Sequence, residues 1–351
     1  MDGVVSAAPE LVIAGRRIGA EHPPWVVPEI GINHEGDMAK ARRMVEDAAA
    51  AGAEVVKFQS HSPADEMVRN DVVPANASES IWDIISRCTL DQAQEAELKA
   101  YSESLGMTYL STPFSREAAD HLHSLDVEAF KIGSGECNNL PLLDHIASFG
   151  RPVILSTGMN DLASIAASVE VLRDRKVPFA LLHCTSMYPT PRDKVRLGAL
   201  AELRAAFPDA VIGLSDHTLT NHVALAAVAL GASILERHFT SDRNWPGPDI
   251  EISMTPDELA DLVRGSRWVH EALGGTKKVL DEERPTIDFA YASVVTLRPI
   301  GAGEVLDRSN TWVKRPGTGE VPAAELDRVL GRAAVADLPA DHQLRWADVE
   351  R

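Results

Sequence analysis

Eight short apolar runs, each ending on polar residues and each followed by a stretch of helical spacing, constrain this chain more than any other feature. They are "WVVPEIGI" (25–32), "EVVKFQ" (54–59), "TYLSTPF" (108–114), "AFKIGSG" (129–135), "PVILSTGM" (152–159), "FALLHCTS" (179–186), "VIGLSDH" (211–217) and "SILERHF" (233–239). Runs of this length, bounded by Gly, Pro, Asn or Asp, read as buried parallel strands. The segments between them, such as "MAKARRMVEDAAAAG", "LASIAASVEVLRD" and "HVALAAVALG", carry apolar residues at helical spacing, and the first stops at Gly52. Strand–helix alternation repeated eight times predicts an α/β fold, the (β/α)8 TIM barrel. The segment from 61 to about 106 exceeds what a crossover needs, and such excess at the carboxyl end of a barrel strand is where substrate-binding loops grow.

A barrel of about 250 residues leaves roughly 100 of the 351 for something else. After Gly274 the polar "GGTKKVLDEERP" breaks the alternation, and the strand-like "ASVVTLRPI" and "NTWVKRP" follow, separated by "GAGE" and "GTGE". The expected organisation is a barrel domain over 1–274, a linker over 275–285 and a small mainly β domain over 286–351. Near the start, "ELVIAGRRIG" reads as a hairpin placed to plug the bottom of the barrel.

With 45% apolar and 25% charged residues the chain has material for a core. Its formal charge of −18 repels nucleic acid and anionic membrane surfaces, so neither is expected as a partner. An anionic substrate would have to be held at short range by a few basic residues. The three cysteines show no CxxC spacing, which fits a reducing cytoplasm and argues against a disulfide framework or a cysteine zinc site. There is no secretion signal in the N-terminal stretch and no run of 18 apolar residues.

Polar residues collect at the carboxyl ends of the expected strands, and a barrel aims these ends at one face. Lys57 and Lys131 each interrupt an apolar strand, where a desolvated lysine must pair with an anion or lose its proton. They are therefore candidates for clamping a phosphate or carboxylate, or for forming a Schiff base; the plain alternative is pairing with a buried carboxylate such as Glu29 or Glu136. His217 and His238, on successive strands, are candidates for a nitrogen-and-oxygen metal site, with His34 and His183 as supporting residues. The hydroxyls of Thr112, Ser134, Ser156, Ser186 and Ser215 can hold anion oxygens or cap strand ends. Tyr188 in "CTSMYPTP" can wall a sugar site, and Asp249 sits on the rigid "WPGPDI" loop, a mount for a carboxylate that grips hydroxyls. Strand alternation sends Glu236 to the side of His238, as a supporter of a histidine, and turns Arg237 toward the helices.

Taken together, "PEIGINHEG", "AGAEVVKFQSH", "STPFS", "KIGSGECNN", "ILSTGMN", "LLHCTSMYPTP", "IGLSDHT", "LERHFT", "PGPDIEISM" and "WVKRPGTG" closely resemble the bacterial sialic acid synthases, in order and from about Val26 to the C-terminus. The resemblance implies a TIM barrel followed by a small antifreeze-like (SAF) β domain. It also implies a domain-swapped homodimer in which each small domain caps the partner's barrel. The implied reaction condenses phosphoenolpyruvate with N-acetylmannosamine and water, releasing phosphate; relatives making legionaminic or pseudaminic acid take a dideoxy-diacetamido hexose on the same scaffold.

Carried over position by position, the resemblance makes His217 and His238 ligands of a divalent metal, Mn or Mg. It assigns Lys57, Thr112, Lys131, Ser134, Ser156, Ser186 and Ser215 to phosphoenolpyruvate, with the lysines as charge clamps rather than imine formers. Glu29, Gln59, Asn76, Tyr188 and Asp249 fall to the sugar, and Phe289 and Arg315 reach it from the other subunit. Glu136 becomes the acid/base for water addition. One position departs from the pattern: Ser186 stands where the family has Asn, which removes an amide donor. The rival classes are a Schiff-base aldolase and a non-catalytic carbohydrate-binding protein.

Overall fold

The computed structural model describes residues 8–350, so residues 1–7 of the span read as barrel and residue 351 of the span read as C-terminal domain lie outside the described residues. The chain divides into two compact units, Met1–Gly274 and Gly275–Arg351. The first opens with an antiparallel hairpin of β1 (Glu10–Ile13) and β2 (Arg16–Gly19). Its turn residues, Ala14 and Gly15, have φ of 49° and 76°, the left-handed pair that lets a two-residue turn follow strand twist.

Eight strands then form one parallel sheet: β3 (Trp25–Gly31), β4 (Val55–Ser60), β5 (Thr108–Pro113), β6 (Phe130–Ile132), β7 (Val153–Ser156), β8 (Phe179–Cys184), β9 (Val211–Asp216) and β10 (Ile234–His238). Their order is β5-β4-β3-β10-β9-β8-β7-β6, and β5 lies beside β6 to complete the cylinder by packing. A helix follows each strand, among them Met38–Ala50 after β3, Gln92–Ser104 after β4, Leu162–Asp174 after β7 and Pro256–Ala272 after β10. Asp37, Asp91, Asp161 and Thr255 start these helices by accepting backbone N–H groups that the first turn would leave unpaired. This is the (β/α)8 barrel that the alternation predicts.

Side chains alternate in and out along a strand, so each strand sends every second residue into the lumen. The lower lumen holds Trp25, Val27, Val55, Leu110, Ala129, Ile154, Ala180, Leu182, Val211 and Ile234, joined by Leu11, Ile13 and Ile18 of the hairpin. The hairpin therefore fills the end from which the strands start. The lumen has no slack: a Cβ on Gly213 would stand 2.5 Å from Leu182 Cδ2 and 2.6 Å from the Ile234 carbonyl oxygen. Truncating Ile18 to Ala is expected to cost about 2–5 kcal/mol in a denaturant titration, because this fully buried side chain has no mobile neighbour to collapse onto the cavity.

Strands β6 and β7 end earlier than the runs 129–135 and 152–159 suggest. Gly133 leads into a 3-10 turn at Ser134–Glu136, and the chain turns again after Ser156. These turns release backbone N–H groups from the sheet ladder at the mouth of the barrel.

In the second unit a 3-10 turn (Asp281–Glu283) runs into a short helix, Arg284–Ala290. Strands β11 (Ser293–Thr296) and β12 (Thr311–Lys314) pair antiparallel, and isolated bridges such as Ile300 with Leu338 and Ala334 with Val349 add further β contacts. Its own core includes Val294, Ile300, Leu306, Val321, Val329 and Leu344. No helix among the described residues is long and apolar enough to cross a membrane.

Candidate active site

Above the apolar layers of the lumen the same inward alternation turns polar. Glu29 follows Val27 on β3, Lys57 and Gln59 follow Val55 on β4, Thr112 follows Leu110 on β5, and Lys131 follows Ala129 on β6. Ser156 tops β7, Cys184 tops β8, Ser215 and His217 top β9, and Glu236 and His238 top β10. Register sets the neighbours: Glu29 stands opposite Lys57, Gln59 opposite Thr112, Ser215 opposite Glu236, and His238 opposite Glu29.

Two buried lysines and two buried glutamates form the centre. Lys57 Nζ lies 2.5 Å from Glu29 Oε2 and donates to Thr112 Oγ1 at 3.1 Å. Glu236 Oε1 lies 3.9 Å from Lys57 Nζ and 3.5 Å from Lys131 Nζ, and Ser215 Oγ donates to it at 3.4 Å. Lys131 also donates to the Ile132 carbonyl at 3.1 Å, and Gln59 donates to Glu29 Oε1 at 2.9 Å. Burial depresses Lys131 and raises Glu29, as it must for charges taken out of water. Burial also works to raise Glu236, but Lys131 and Lys57 outweigh it and hold that carboxyl below the usual range. Two lysines thus face two glutamates in a low-dielectric mouth, the pairing that buried ionisable groups require.

Glu236 is the residue whose role the sequence reading mistook. It does enter the lumen, but it serves the lysines, not a histidine, because ring closure brings the β10 tip across from both β4 and β6. Arg237 points outward, 3.3 Å from Asp216 and donating to Asn221 Oδ1 at 2.6 Å, at the start of the helix after β9.

Beside Lys131, Gly158 donates its N–H to Ser134 Oγ at 3.0 Å. A Cβ built on Gly158 would fall 2.3 Å from Ser186 Oγ, 2.8 Å from Ser134 Oγ and 3.1 Å from Cys184 Sγ, so hydroxyls and a bare backbone converge there. The Ser156 hydroxyl is buried without a protein partner. Such a cradle can take the oxygens of an anion. Gly158→Ala is expected to push both serines aside and weaken anion binding at this cradle, measured by calorimetry with inorganic phosphate, about 10- to 100-fold, with little change in unfolding midpoint.

On the other side of the mouth the rings of His217 and His238 stand 5.5 Å apart between centroids, with Tyr188 4.1 Å from His217 and 6.1 Å from His238. Burial drives His238 well below the usual histidine range, so it is a neutral imidazole, and its Nδ1, buried without a hydrogen-bond partner, lies 3.8 Å from Asp249 Oδ2. His217 Nδ1 takes the Thr185 carbonyl at 3.1 Å, which leaves Nε2 for another partner. Asn76, from the long excursion after β4, donates to Pro248 O at 3.1 Å and Asp249 Oδ1 at 3.4 Å. Burial lifts Asp249 to about 6. His238, neutral, and His217, which against burial Cys184 and the Thr185 carbonyl hold above the usual histidine range until a ligand displaces its proton, each keep a ring nitrogen beside a carboxylate. These are the residues that could hold a divalent ion.

Other positions do not join this cluster. Glu136 sits on the 3-10 turn past β6, accepts from Asn139 Nδ2 at 2.5 Å, and lines a groove with Glu66, Arg116, Asp144 and Arg175 outside the lysine pair. Counted from Lys131, strand alternation puts position 136 on the outer face as well, so its assignment rests on the resemblance and not on the strand pattern. His34 is buried by the turn after β3, where burial lowers it to about 4, and it accepts from Gly36 N at 3.0 Å. His183 faces away from the lumen and meets Val195 O at 2.7 Å. In the second unit Arg315 and Phe289 meet each other, the guanidinium 5.6 Å from the ring centroid.

Buried lysines, imidazoles and hydroxyls converging at the carboxyl ends of the strands define a TIM-barrel enzyme built to bind an anion. Residues 44–278 match the NeuB family and residues 291–350 match the SAF domain. A N,N'-diacetyllegionaminic acid synthase from Campylobacter jejuni is 37% identical over 91% of this chain and 98% of its own. A human N-acetylneuraminate-9-phosphate synthase is 34% identical over 93% of each. A crystal structure of N-acetylneuraminic acid (sialic acid) synthetase from Leptospira borgpetersenii superposes with a TM-score of 0.74 at 32% identity, covering 80% of this chain and 95% of that one. The chain belongs to the NeuB family of sugar acid synthases.

Proposed function

We propose that this chain condenses phosphoenolpyruvate with N-acetylmannosamine and water to give N-acetylneuraminate and phosphate. The observation that carries the reading is the juxtaposition, in one barrel mouth, of the Lys57–Lys131 pair with the His217–His238 pair. The lysines and the hydroxyls of Thr112, Ser134, Ser156, Ser186 and Ser215 hold the phosphate and carboxylate; the ion pairs to Glu29 and Glu236 favour charged clamps over a free amine for imine formation. Glu29, Gln59, Asn76, Tyr188 and Asp249 orient the open-chain sugar. C3 of phosphoenolpyruvate bonds to the aldehyde carbon, water adds at C2, and the C2–O bond to phosphate breaks. His217 and His238 would hold a divalent ion, which when bound would supply Lewis-acid polarisation of the aldehyde. Glu136, on the turn that follows Lys131, is assigned the proton transfer of the water addition, and Glu29 stays with the sugar.

The reading also includes a homodimer whose small unit offers Arg315 and Phe289 to the partner's sugar; light scattering tests the dimer, and Arg315→Ala should raise the KM for sugar while sparing that for phosphoenolpyruvate. A second reading, a dideoxy-diacetamido hexose as acceptor, is favoured by the likeness to a legionaminic acid synthase and by Ser186, whose short side chain leaves a different pocket wall. Phosphate release from phosphoenolpyruvate with each sugar in turn, with products weighed by mass spectrometry, decides between them. Borohydride trapping of pyruvate on Lys57 or Lys131 would sink both.

A further inference from the structure

Behind Gln59 a buried chain of side chains leads away from the mouth, and the reaction as drawn leaves it without a role. His61 lies just past the tip of β4 with its side chain 4% exposed, and Phe114, just past β5, stacks on the ring with 4.6 Å between centroids. The Glu66 carboxylate, at the end of the short helix Pro63–Glu66, meets Nδ1 of that ring with both oxygens, at 2.9 and 3.1 Å. His61 Nε2 meets Gln59 Oε1 at 3.0 Å, while Gln59 Nε2 donates to Glu29 Oε1 at 2.9 Å. Gly31 leaves the room for this: a Cβ there would stand 3.1 Å from both Gln59 Nε2 and Glu29 Oε1.

The two ends of an amide are nearly alike in shape, so its partners decide which end faces which way. Both neighbours of the His61 ring are acceptors, a carboxylate at Nδ1 and an amide oxygen at Nε2, so the ring donates from both nitrogens. A ring carrying hydrogen on Nδ1 alone would turn a bare Nε2 on Gln59. It would favour the reversed amide, whose oxygen faces Glu29, the carboxyl that Lys57 meets at 2.5 Å. We propose that His61, charged against Glu66, is a positioning residue that holds the Gln59 amide nitrogen toward the mouth; the inference rests on the reading above that gives Gln59 to the acceptor sugar. Glu29 takes one N–H of that nitrogen, and the second is the one offered to a sugar oxygen. Neither His61 nor Glu66 touches a reacting atom. Glu66 fixes the ring, the ring fixes the amide, and burial under Phe114 keeps water from replacing either contact.

The test compares the metal-replete full-length protein with Glu66→Gln, Gln59→Ala and the double variant, reading the KM for N-acetylmannosamine and for phosphoenolpyruvate separately. Glu66→Gln keeps the shape and an acceptor at Nδ1 but removes the counter-charge, so the ring gives up its Nε2 proton and the amide reverses. The KM for sugar should rise about 3- to 10-fold while that for phosphoenolpyruvate stays within about twofold. In the Gln59→Ala background the same substitution should change nothing further. A role confined to packing would add the same loss in both backgrounds, or move both KM values together, and either result overturns the proposal. A second readout needs no turnover: the imidazole region of a 15N-edited proton spectrum of the Mg-loaded protein at neutral pH. Two protected N–H signals are expected from His61 and one in Glu66→Gln, identified by their loss in His61→Ala or, should that variant not fold, by their contacts with Phe114. A single His61 signal in the wild type overturns the proposal. If no acetamido sugar releases phosphate, the synthase reading fails by itself, and the imidazole signals then decide this one.

Discussion

Replacing Lys57 by methionine is expected to lower the unfolding free energy by about 3–5 kcal/mol and to abolish measurable turnover. The side chain is 3% exposed and carries the counter-charge for Glu29, itself 3% exposed, so its removal strands an anion in a dry lumen. The effect on stability should largely vanish in the double variant Lys57→Met with Glu29→Gln, which is neutral and retains the Gln59 contact. Urea titrations of the two single variants and the double close a cycle that isolates the coupling. Turnover should not return in the double variant, because the lysine proposed to clamp phosphoenolpyruvate is still missing. Additive stability losses would show that the 2.5 Å contact contributes little and that the lysine is held by its other neighbours.

The second large effect concerns the imidazoles. Removing divalent metal with EDTA is expected to stop phosphate release and Mn to restore it, and His238→Ala should lower turnover by about three orders of magnitude, the scale of losing several kcal/mol of transition-state stabilisation. A readout independent of turnover is retention of Mn in equilibrium dialysis, which should fall in His217→Ala and His238→Ala alike. Little change in the unfolding midpoint is expected for His238→Ala without metal, since His238 Nδ1 is buried without a hydrogen-bond partner and no bond to it is lost. Undiminished Mn binding by both variants would move the metal away from these rings.

How much of this was legible beforehand follows from the range of the interactions. The eight strand cores and the hairpin over 10–19 are written in neighbouring residues, and both are in place. So are the inward tips: a residue two beyond a lumen-facing one faces the lumen too, as Lys57 does after Val55 and Lys131 after Ala129. Lys57, Lys131, His217 and His238 could be singled out because they interrupt or end single strands. The turn after β6 could not be read the same way. Once the strand ends at Ile132 the turn, not alternation, places Glu136, which lines a groove with Arg116 and Arg175.

The amino-acid sequence by itself determined which side chains enter the barrel, because in-or-out alternation is a property of each strand's own backbone. Only the tertiary structure decided which of them meet. Glu236 between Lys57 and Lys131, Gly158 under Ser134 and Ser186, and Asn76 on Asp249 are contacts between residues far apart in the chain, set by the register and stagger with which eight strands close. No local pattern encodes that stagger, since it depends on how every strand packs against its two neighbours at once.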